Sequence, residues 1–198
     1  MGASISIIIP VLDEALLLPD TLAALQDLRQ RGHEVLVVDG GSRDGSVTIA
    51  RRLADRVLMS GPGRAQQMNA GAESARHEIL LFLHADTHLP ANADTLIAAA
   101  LQVPGQIWGR FDLRFSGTRV SLRLFERLTT WRSLVTGLAS GTQALFVERT
   151  WFERVGGYDP VVAGEDAALS RKLKRHAWPA RIAAPVVSSS RHWERVDG

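Results

Sequence analysis

The sequence predicts one α/β domain with a mainly parallel mixed sheet. Two segments, 35–38 and 78–83, are almost wholly apolar, as in strands that are buried on both faces. Helix-like segments separate such strands at short spacing, which is typical of βαβ units with right-handed crossovers. Both strands run directly into polar residues, and open α/β sheets bind their ligands at that edge.

The first half, residues 1–90, alternates strands with helices. Its strands are predicted at 4–9, 35–38, 57–59 and 78–83, and Pro10 is expected to stop the first of them. A helix at 20–31 carries Leu22, Leu25 and Leu28 on one face and ends at Gly32. Further helices are predicted at 46–54 and at the Ala-rich segment 64–76, each of which follows a Gly-containing turn.

The second half, residues 91–198, has a more mixed pattern. It predicts helices at 91–101, 119–138 and 165–175, an exposed strand at 107–115 and a short strand at 144–147. We find no repeat, no low-complexity segment and no linker, so residues 1–198 are expected to form a single domain.

Composition excludes several classes of protein. Hydrophobic residues make up 45% and charged residues 22% of the 198 positions, as in a soluble globular chain, and a net charge of +2 gives no argument for nucleic acid. The absence of cysteine excludes disulfides, thiolate metal sites and cysteine nucleophiles. Neither a signal peptide nor a bilayer-spanning stretch is visible, which favours a cytoplasmic protein or one on the inner membrane face.

Acidic residues follow two of the buried strands. Asp39 and Asp86 should meet at the same sheet edge, and Gly40 and Gly41 would let the backbone approach a ligand closely. The alternative is that Asp39 and Asp44 only cap turns and the next helix. Two such acids in one sheet favour a binding site.

The segment His84-Ala85-Asp86 is the natural position for a metal ion. A carboxylate at a strand end suits Mg²⁺ or Mn²⁺, but one carboxylate is not enough, so substrate phosphates would complete the coordination. His84 is either a second ligand or an ordinary strand-end residue, and the latter is favoured. The spacing of His84 and His88 does not match a zinc site.

Six ordered motifs cover nearly the whole chain: IIIPVLDEA, VVDGGSRDGS, GRAQQMNAGA, LFLHADT, GTQALFV and GGYDPVVAGEDAALSRKL. The series resembles a family 2 glycosyltransferase, in particular the small bacterial branch described with radical-SAM or selenodomain gene sets. This resemblance implies a GT-A type, Rossmann-like three-layer sandwich. It also implies transfer of a sugar from a UDP- or GDP-sugar donor to a hydroxyl acceptor with inversion.

The resemblance also implies roles for matching residues in the donor site. Pro10, Asp13 and Glu14 would line the nucleotide pocket, together with Gly41. Asp39 would accept a hydrogen bond from the base. Arg64, at the start of a helix, would meet ribose or diphosphate, although a solvated helix-start residue is the alternative.

The metal-binding and catalytic residues follow from the same resemblance. Asp86 would be the surviving acid of the family's DxD motif, whose first position is His84 here, so metal dependence is open. Asp166, or else Glu165, would be the general base, while negative charge in the first turn of a helix is the structural alternative. Gln143 would face the donor sugar or the acceptor.

Two further segments have competing interpretations. Arg191 or His192 could meet phosphate or metal and Trp193 could stack on an acceptor, or the segment is an ordinary terminus. An apolar stripe flanked by arginines runs along the predicted helix 119–138 and comprises Val120, Leu124, Leu128, Trp131, Val135 and Leu138. It could lie in a membrane interface near a lipid-linked acceptor, but packing on the sheet or on a partner subunit of a homo-oligomer is favoured.

Two other functions remain as alternatives. A sugar nucleotidyltransferase usually has a Gly-rich basic loop after its first strand, whereas this chain has Val11-Leu12-Asp13-Glu14-Ala15 there, which argues against it. A nucleotide-sugar sensor or scaffold that has lost catalysis is compatible with His84 in place of the first acid.

Overall fold

The computed structural model describes residues 4–160 and 164–190. Within them the strands form one eight-stranded sheet, in the order β3-β2-β1-β4-β7-β6-β8-β5. The strands are β1 (Ile5–Val11), β2 (Glu34–Asp39), β3 (Arg56–Met59), β4 (Ile79–Phe82), β5 (Thr87–His88), β6 (Trp108–Phe115), β7 (Phe146–Glu148) and β8 (Ala180–Ser188). The helices are α1 (Leu18–Ala24), α2 (Gln26–Gln30), α3 (Ser46–Leu53), α4 (Arg64–Ser74), α5 (Ala93–Leu101), α6 (Val120–Thr136), α7 (Arg149–Arg154) and α8 (Glu165–Leu173), with a 3-10 helix at Gly141–Gln143.

The four strands that the sequence predicts in the first half, β1 to β4, pair in parallel as expected. β1 lies between β2 and β4, and β3 pairs with the outer side of β2. Because β1, β2 and β4 point the same way, their carboxyl ends meet at one edge of the sheet. The residues after these three strands therefore converge there.

Pro10 does not stop β1, contrary to the prediction. The strand continues to Val11, and Pro10 lies opposite Val38 of β2. On the other side of β1 the pairing with β4 ends at Ile8, so the missing N–H of Pro10 breaks no ladder bond there.

The sheet is the middle of three layers. On one face α1, α2, α3 and α5 bury Leu18, Leu22 and Ile97 against Ile7 and Val37. On the other face α4, α7 and α8 pack against alternate residues of the same strands, including Ile8, Leu36 and Val38. The predicted leucine face, Leu22, Leu25 and Leu28, is buried as expected, although the helix is divided into α1 and α2 at Leu25.

The second half is mixed. β7 is antiparallel to both β4 and β6, whereas β6 and β8 are parallel. β8, β5 and α7 have no counterpart in the sequence prediction. β8 contains Pro185 and an irregular burial pattern, and its register with β6 shifts at Phe111/Asp112, which explains why no period-2 pattern marks it.

The interpretation that the apolar stripe of the long helix packs on the sheet is wrong. Val120, Leu124, Leu128, Trp131 and Val135 are all exposed on α6. The side of α6 that faces the protein instead buries Leu122, Thr129 and Ser133. Among the described residues, no helix combines the length and the apolar composition that crossing a bilayer requires.

Candidate functional site

A cavity of about 580 Å³ opens at the carboxyl ends of β1 and β4. The cavity is lined by six of the candidate site residues predicted from the sequence: Pro10, Asp13, Glu14, Arg64, His84 and Asp86. The second half of the chain contributes Phe115 from the end of β6, Thr142 from the 3-10 helix and Ser188 from the end of β8. Asp39, Gly41, Gln143, Glu165 and Asp166 are not among the lining residues.

The loop after β1 is bonded to the loop after β2. The Asp13 N–H donates to Ser42 Oγ (2.9 Å), and the Arg43 N–H donates to Asp13 Oδ1 (2.7 Å). The Ala15 N–H donates to Asp44 Oδ2 at 2.9 Å. Asp13 has a φ of 55°, a left-handed conformation that Asp tolerates better than most residues. These bonds fix the wall of the cavity that Asp13 and Glu14 form.

Asp39 lies buried at the end of β2. Its Oδ2 accepts hydrogen bonds from the N–H groups of Gly41 (2.8 Å) and Ser42 (2.9 Å). Gly41 adopts a φ of 98°, which only glycine accepts readily. The other oxygen, Oδ1, is buried and has no hydrogen-bond partner in the described part of the chain. Asp39 thus holds the turn with one oxygen and keeps an acceptor free on the other.

Gln67 was not recognised from the sequence. This buried residue of α4 donates from Nε2 to the carbonyl oxygens of Val11 (2.8 Å) and Val38 (2.7 Å), and so it joins the ends of β1 and β2. A Cβ on Gly40 would stand 3.1 Å from the Gln67 side chain. A side chain at Gly40 would therefore crowd Gln67. No sequence pattern marks a buried glutamine in the GRAQQMN segment.

Two carboxylates and an imidazole lie at the position where the sequence predicts a metal ion. Glu14 and Asp86 both line the cavity, and burial together with the nearby Asp86 carboxylate raises the pKa of Glu14. Burial and the charge of Arg64 lower the pKa of His84 to about 4, so its imidazole is neutral at neutral pH. His84 Nε2 is buried with no hydrogen-bond partner among the residues described.

This donor set is small. Within 4–160 and 164–190, no three His, Cys, Asp or Glu residues are grouped so that they could hold a metal ion. Mg²⁺ and Mn²⁺ bind through oxygen ligands and commonly keep waters and substrate phosphates in their coordination. Asp86 and His84 are therefore sufficient only with a bound diphosphate.

Asp166 lies in the first turn of α8, close to His84. The Tyr158 hydroxyl donates to Asp166 Oδ1 at 3.0 Å. Burial raises the pKa of Asp166 to about 6, opposed by that hydrogen bond. A Cβ on Gly141 would stand 2.6 Å from Asp166 Oδ2 and 2.7 Å from His84 Nε2. Only glycine at 141 leaves the space between these two atoms open.

Tyr158 was also missed from the sequence. It is the only tyrosine of the chain, it is almost fully buried, and it belongs to the GGYD segment eight residues before Asp166. A lone buried tyrosine close to a candidate base was the feature that could have identified it.

The remaining predicted residues lie around this centre. Glu165 Oε1 is 3.4 Å from Arg64 Nη1, so the starts of α8 and α4 meet. Gln143 is fully buried, and its Oε1 accepts from the Ser140 N–H at 2.9 Å as part of a capping box. Its Nε2 has no hydrogen-bond partner in the described residues. The predicted cluster at Arg191, His192 and Trp193 lies outside the described residues.

The fold and the cavity define an α/β protein with an open cavity at the carboxyl ends of parallel strands, the edge where proteins of this class bind their ligands. The chain belongs to glycosyl transferase family 2, whose sequence model matches residues 6–149. A relative from Mycobacterium bovis (strain BCG / Pasteur 1173P2), a "PGL/p-HBAD biosynthesis glycosyltransferase", is 31% identical over 167 residues. That match covers 78% of this chain and 62% of the relative, so the chain spans about three fifths of that protein's length.

Other similarities agree with the family. An "Undecaprenyl-phosphate 4-deoxy-4-formamido-L-arabinose transferase" from Aeromonas hydrophila is 31% identical over 110 residues, 50% of this chain and 34% of that protein. S. aureus TarS 1-349 superposes with a TM-score of 0.76 at 17% identity, over 94% of this chain and 60% of that one. The mannosyltransferase PcManGT from Pyrobaculum calidifontis, solved with GDP-Man and Mn²⁺, gives 0.66 at 23% identity, over 96% and 57%. At these identities the two structures show a shared fold.

Proposed function

We propose that this protein transfers a sugar from a UDP- or GDP-sugar to a hydroxyl acceptor with inversion at the anomeric carbon. The acceptor oxygen forms a bond to that carbon while the bond from the carbon to the diphosphate oxygen breaks. The acceptor proton passes to a carboxylate, and the nucleoside diphosphate leaves with the bonding electrons. Membership of the family supports the class of reaction, and the geometry of the site supports the role of each residue.

The observation that carries the proposal is the environment of Asp166. Its carboxylate is buried, one oxygen is held by Tyr158, and the other faces the space that Gly141 leaves beside His84. A general base is most effective when its pKa lies near the working pH, and burial raises the pKa of Asp166 to about 6. A carboxylate that served only the helix N-terminus would gain by remaining solvated. We therefore assign the base to Asp166, and Glu165 to the contact with Arg64.

The donor would occupy the cavity with its diphosphate near Arg64 and Asp86. Arg64 is half-exposed at the start of α4, where a helix N-terminus also favours an anion. Pro10, Asp13 and Glu14 would border the nucleotide. Asp39 is buried behind this wall, so the base would have to displace part of the turn to donate an N–H to its unpaired Oδ1. The mannosyltransferase with bound GDP-Man supports a nucleotide sugar as donor, and the undecaprenyl-phosphate arabinose transferase supports a lipid-linked acceptor.

Asp86 and His84 would hold Mg²⁺ or Mn²⁺ together with the diphosphate. When bound, such an ion stabilises negative charge on the leaving diphosphate. Mn²⁺ accompanies the nucleotide in the solved mannosyltransferase, which supports a divalent ion here as well.

The experiment is titration calorimetry with UDP, GDP and their sugars, with and without Mn²⁺, followed by assays of nucleotide release. Asp166→Asn should bind the donor within about twofold of the original protein but lose 10²- to 10⁴-fold in kcat, the usual contribution of a general base. Asp39→Asn should weaken nucleotide binding, and the exposed Asp20→Asn serves as the matched control. Full turnover in Asp166→Asn with a true acceptor would refute the assignment of the base.

A further inference from the structure

Helix α6 presents its apolar side to solvent. Five large apolar residues are strongly exposed: Val120 (84%), Leu124 (58%), Leu128 (53%), Trp131 (64%) and Val135 (60%). With Leu134 they form what we call the α6 outer face. The opposite side, which packs against the protein, buries two hydroxyl residues, Thr129 and Ser133, and only one large apolar residue, Leu122. This is the reverse of the usual amphipathic surface helix.

An isolated exposed leucine needs no explanation, but a continuous apolar stripe does. The spacing of 120, 124, 128, 131 and 135 places these side chains on one side of the helix over four turns. Soluble proteins seldom leave such a patch open to water unless it contacts something else.

Basic residues border this face. Arg127 and Arg132 are exposed on α6, and neither forms an ion pair with any residue that the structure describes. A groove of about 380 Å³ beside α6 is lined by Arg114 and Arg127, among others. Arg114 also lacks an ion pair within the described ranges. The edge of the apolar face therefore carries uncompensated positive charge.

The acids of the groove are already neutralised. Asp112 binds Arg181 (2.6 Å) and the buried Arg110 (3.0 Å). Glu126 binds Arg123 at 2.6 Å. Because these carboxylates are occupied, Arg114 and Arg127 are left to meet an external anion.

We propose that the α6 outer face docks onto an anionic lipid bilayer, with its apolar side chains among the acyl chains and Arg114, Arg127 and Arg132 at lipid phosphates. Apolar residues with a tryptophan on one face and arginines at its border are the pattern of helices that lie in a membrane interface. A second copy of the chain fits the charges less well. A two-fold symmetric contact through this face would bury the arginines of both subunits, while the described carboxylates beside them, Asp112 and Glu126, are already paired.

The position of α6 gives the docking a role. Phe125 of α6 contacts Phe115, with ring centroids 6.0 Å apart, and Phe115 lines the cavity at the sheet edge. The chain leaves α6 through Gly137 and reaches Thr142, which also lines the cavity. A bilayer on the outer face would therefore lie beside the cavity. This inference goes beyond the proposed function and does not depend on it, because it concerns a surface and no reacting group.

The test is flotation of the purified protein with vesicles of phosphatidylcholine alone or with 30 mol% phosphatidylglycerol. We expect binding to the anionic vesicles that weakens in 0.5 M NaCl, and little binding to the neutral ones. Trp131→Glu should reduce the partition coefficient at least tenfold, because an inserted aromatic residue contributes roughly 1.5–3 kcal/mol. Val103→Glu, at an exposed apolar residue on another surface, is the matched control and should bind as the original protein does.

A second pair of variants tests the charges separately. Arg127→Gln with Arg132→Gln should weaken binding roughly 30-fold, since each basic residue near an anionic surface contributes about 1 kcal/mol. Arg51→Gln with Arg52→Gln, two exposed arginines of α3, should have little effect. Equal binding to neutral and anionic vesicles, or none to either, would overturn the proposal. So would a dimer in solution that Trp131→Glu dissociates while vesicle binding is absent, because the face would then be a subunit interface.

Discussion

The substitution Asp166→Asn should make the protein more stable at neutral pH while it lowers kcat by about 10²- to 10⁴-fold. The pKa of Asp166 is raised from its ordinary 3.8 to about 6 because burial disfavours the charged form. Two pKa units correspond to about 3 kcal/mol of stability that ionisation removes at pH 7.5. Asparagine avoids this loss but leaves a poorly bonded amide that costs about 1 kcal/mol. The net gain in the free energy of unfolding is then about 2 kcal/mol.

The pH dependence follows from the direction of the shift. Because the folded-state pKa is above the unfolded one, the wild-type protein is destabilised as pH rises from about 4 through 6. Its disadvantage relative to Asp166→Asn should fall from about 2 kcal/mol at pH 7.5 to roughly 0.6 kcal/mol at pH 5. Urea unfolding followed by tryptophan fluorescence measures both values. Asp20→Asn, at an exposed position, should stay within about 0.5 kcal/mol of the wild type at either pH.

One result would refute this reasoning. If Asp166→Asn were less stable than the wild-type protein at pH 7.5, the carboxylate would be contributing to the fold. A buried catalytic base is expected to lower stability in exchange for activity, and this result would show that Asp166 does not.

Two other substitutions test features of the same region. Tyr158→Phe removes the hydrogen bond that lowers the pKa of Asp166, so the acid limb of the kcat–pH profile should move to a pH about one unit higher, with little change in kcat at pH 8. A uniform fall in kcat without that movement would contradict the role of Tyr158 in setting the pKa of Asp166. Gly71→Ala should destabilise by about 1–3 kcal/mol in urea unfolding, because its Cβ would stand 2.4 Å from Ile8 Cγ2. In Gly45→Ala the new Cβ would have no atom closer than 3.8 Å, so the free energy of unfolding should hardly change. Equal effects of the two substitutions would show that backbone entropy, and not overpacking, determines the change in stability.

The parallel half of the sheet could be predicted because each of its central strands is a short run of almost wholly apolar residues. Val35, Val37 and their neighbours are buried on both faces of β2, so the segment contains almost nothing but aliphatic residues. The same argument finds β1 and β4. β8 could not be found in this way, because six of its nine residues are intermediate or exposed and Pro185 lies within it.

The site was predictable where residues follow such strands. Asp86 and His84 come directly after β4, and their position at the cavity follows from topology alone. Gln67 donates to the ends of two strands that lie far from it in the sequence, and no local spacing encodes these contacts. Tyr158 is the single tyrosine of the chain and lies eight residues before Asp166, so its position was a signal that the sequence did offer. The orientation of α6 could not be predicted either, because the spacing of apolar residues along a helix does not show whether they face the protein or the solvent.

The hydrogen bonds between the loop after β1 and the loop after β2 have a consequence for the binding of any donor. Asp13 and Ser42 are 29 residues apart in the sequence, and the hydrogen bond between them is part of the fold. Folding therefore carries the entropic cost of ordering this wall of the cavity. The two loops therefore determine the shape of the cavity together. A substitution at Ser42 would change the position of Asp13, although Ser42 does not line the cavity.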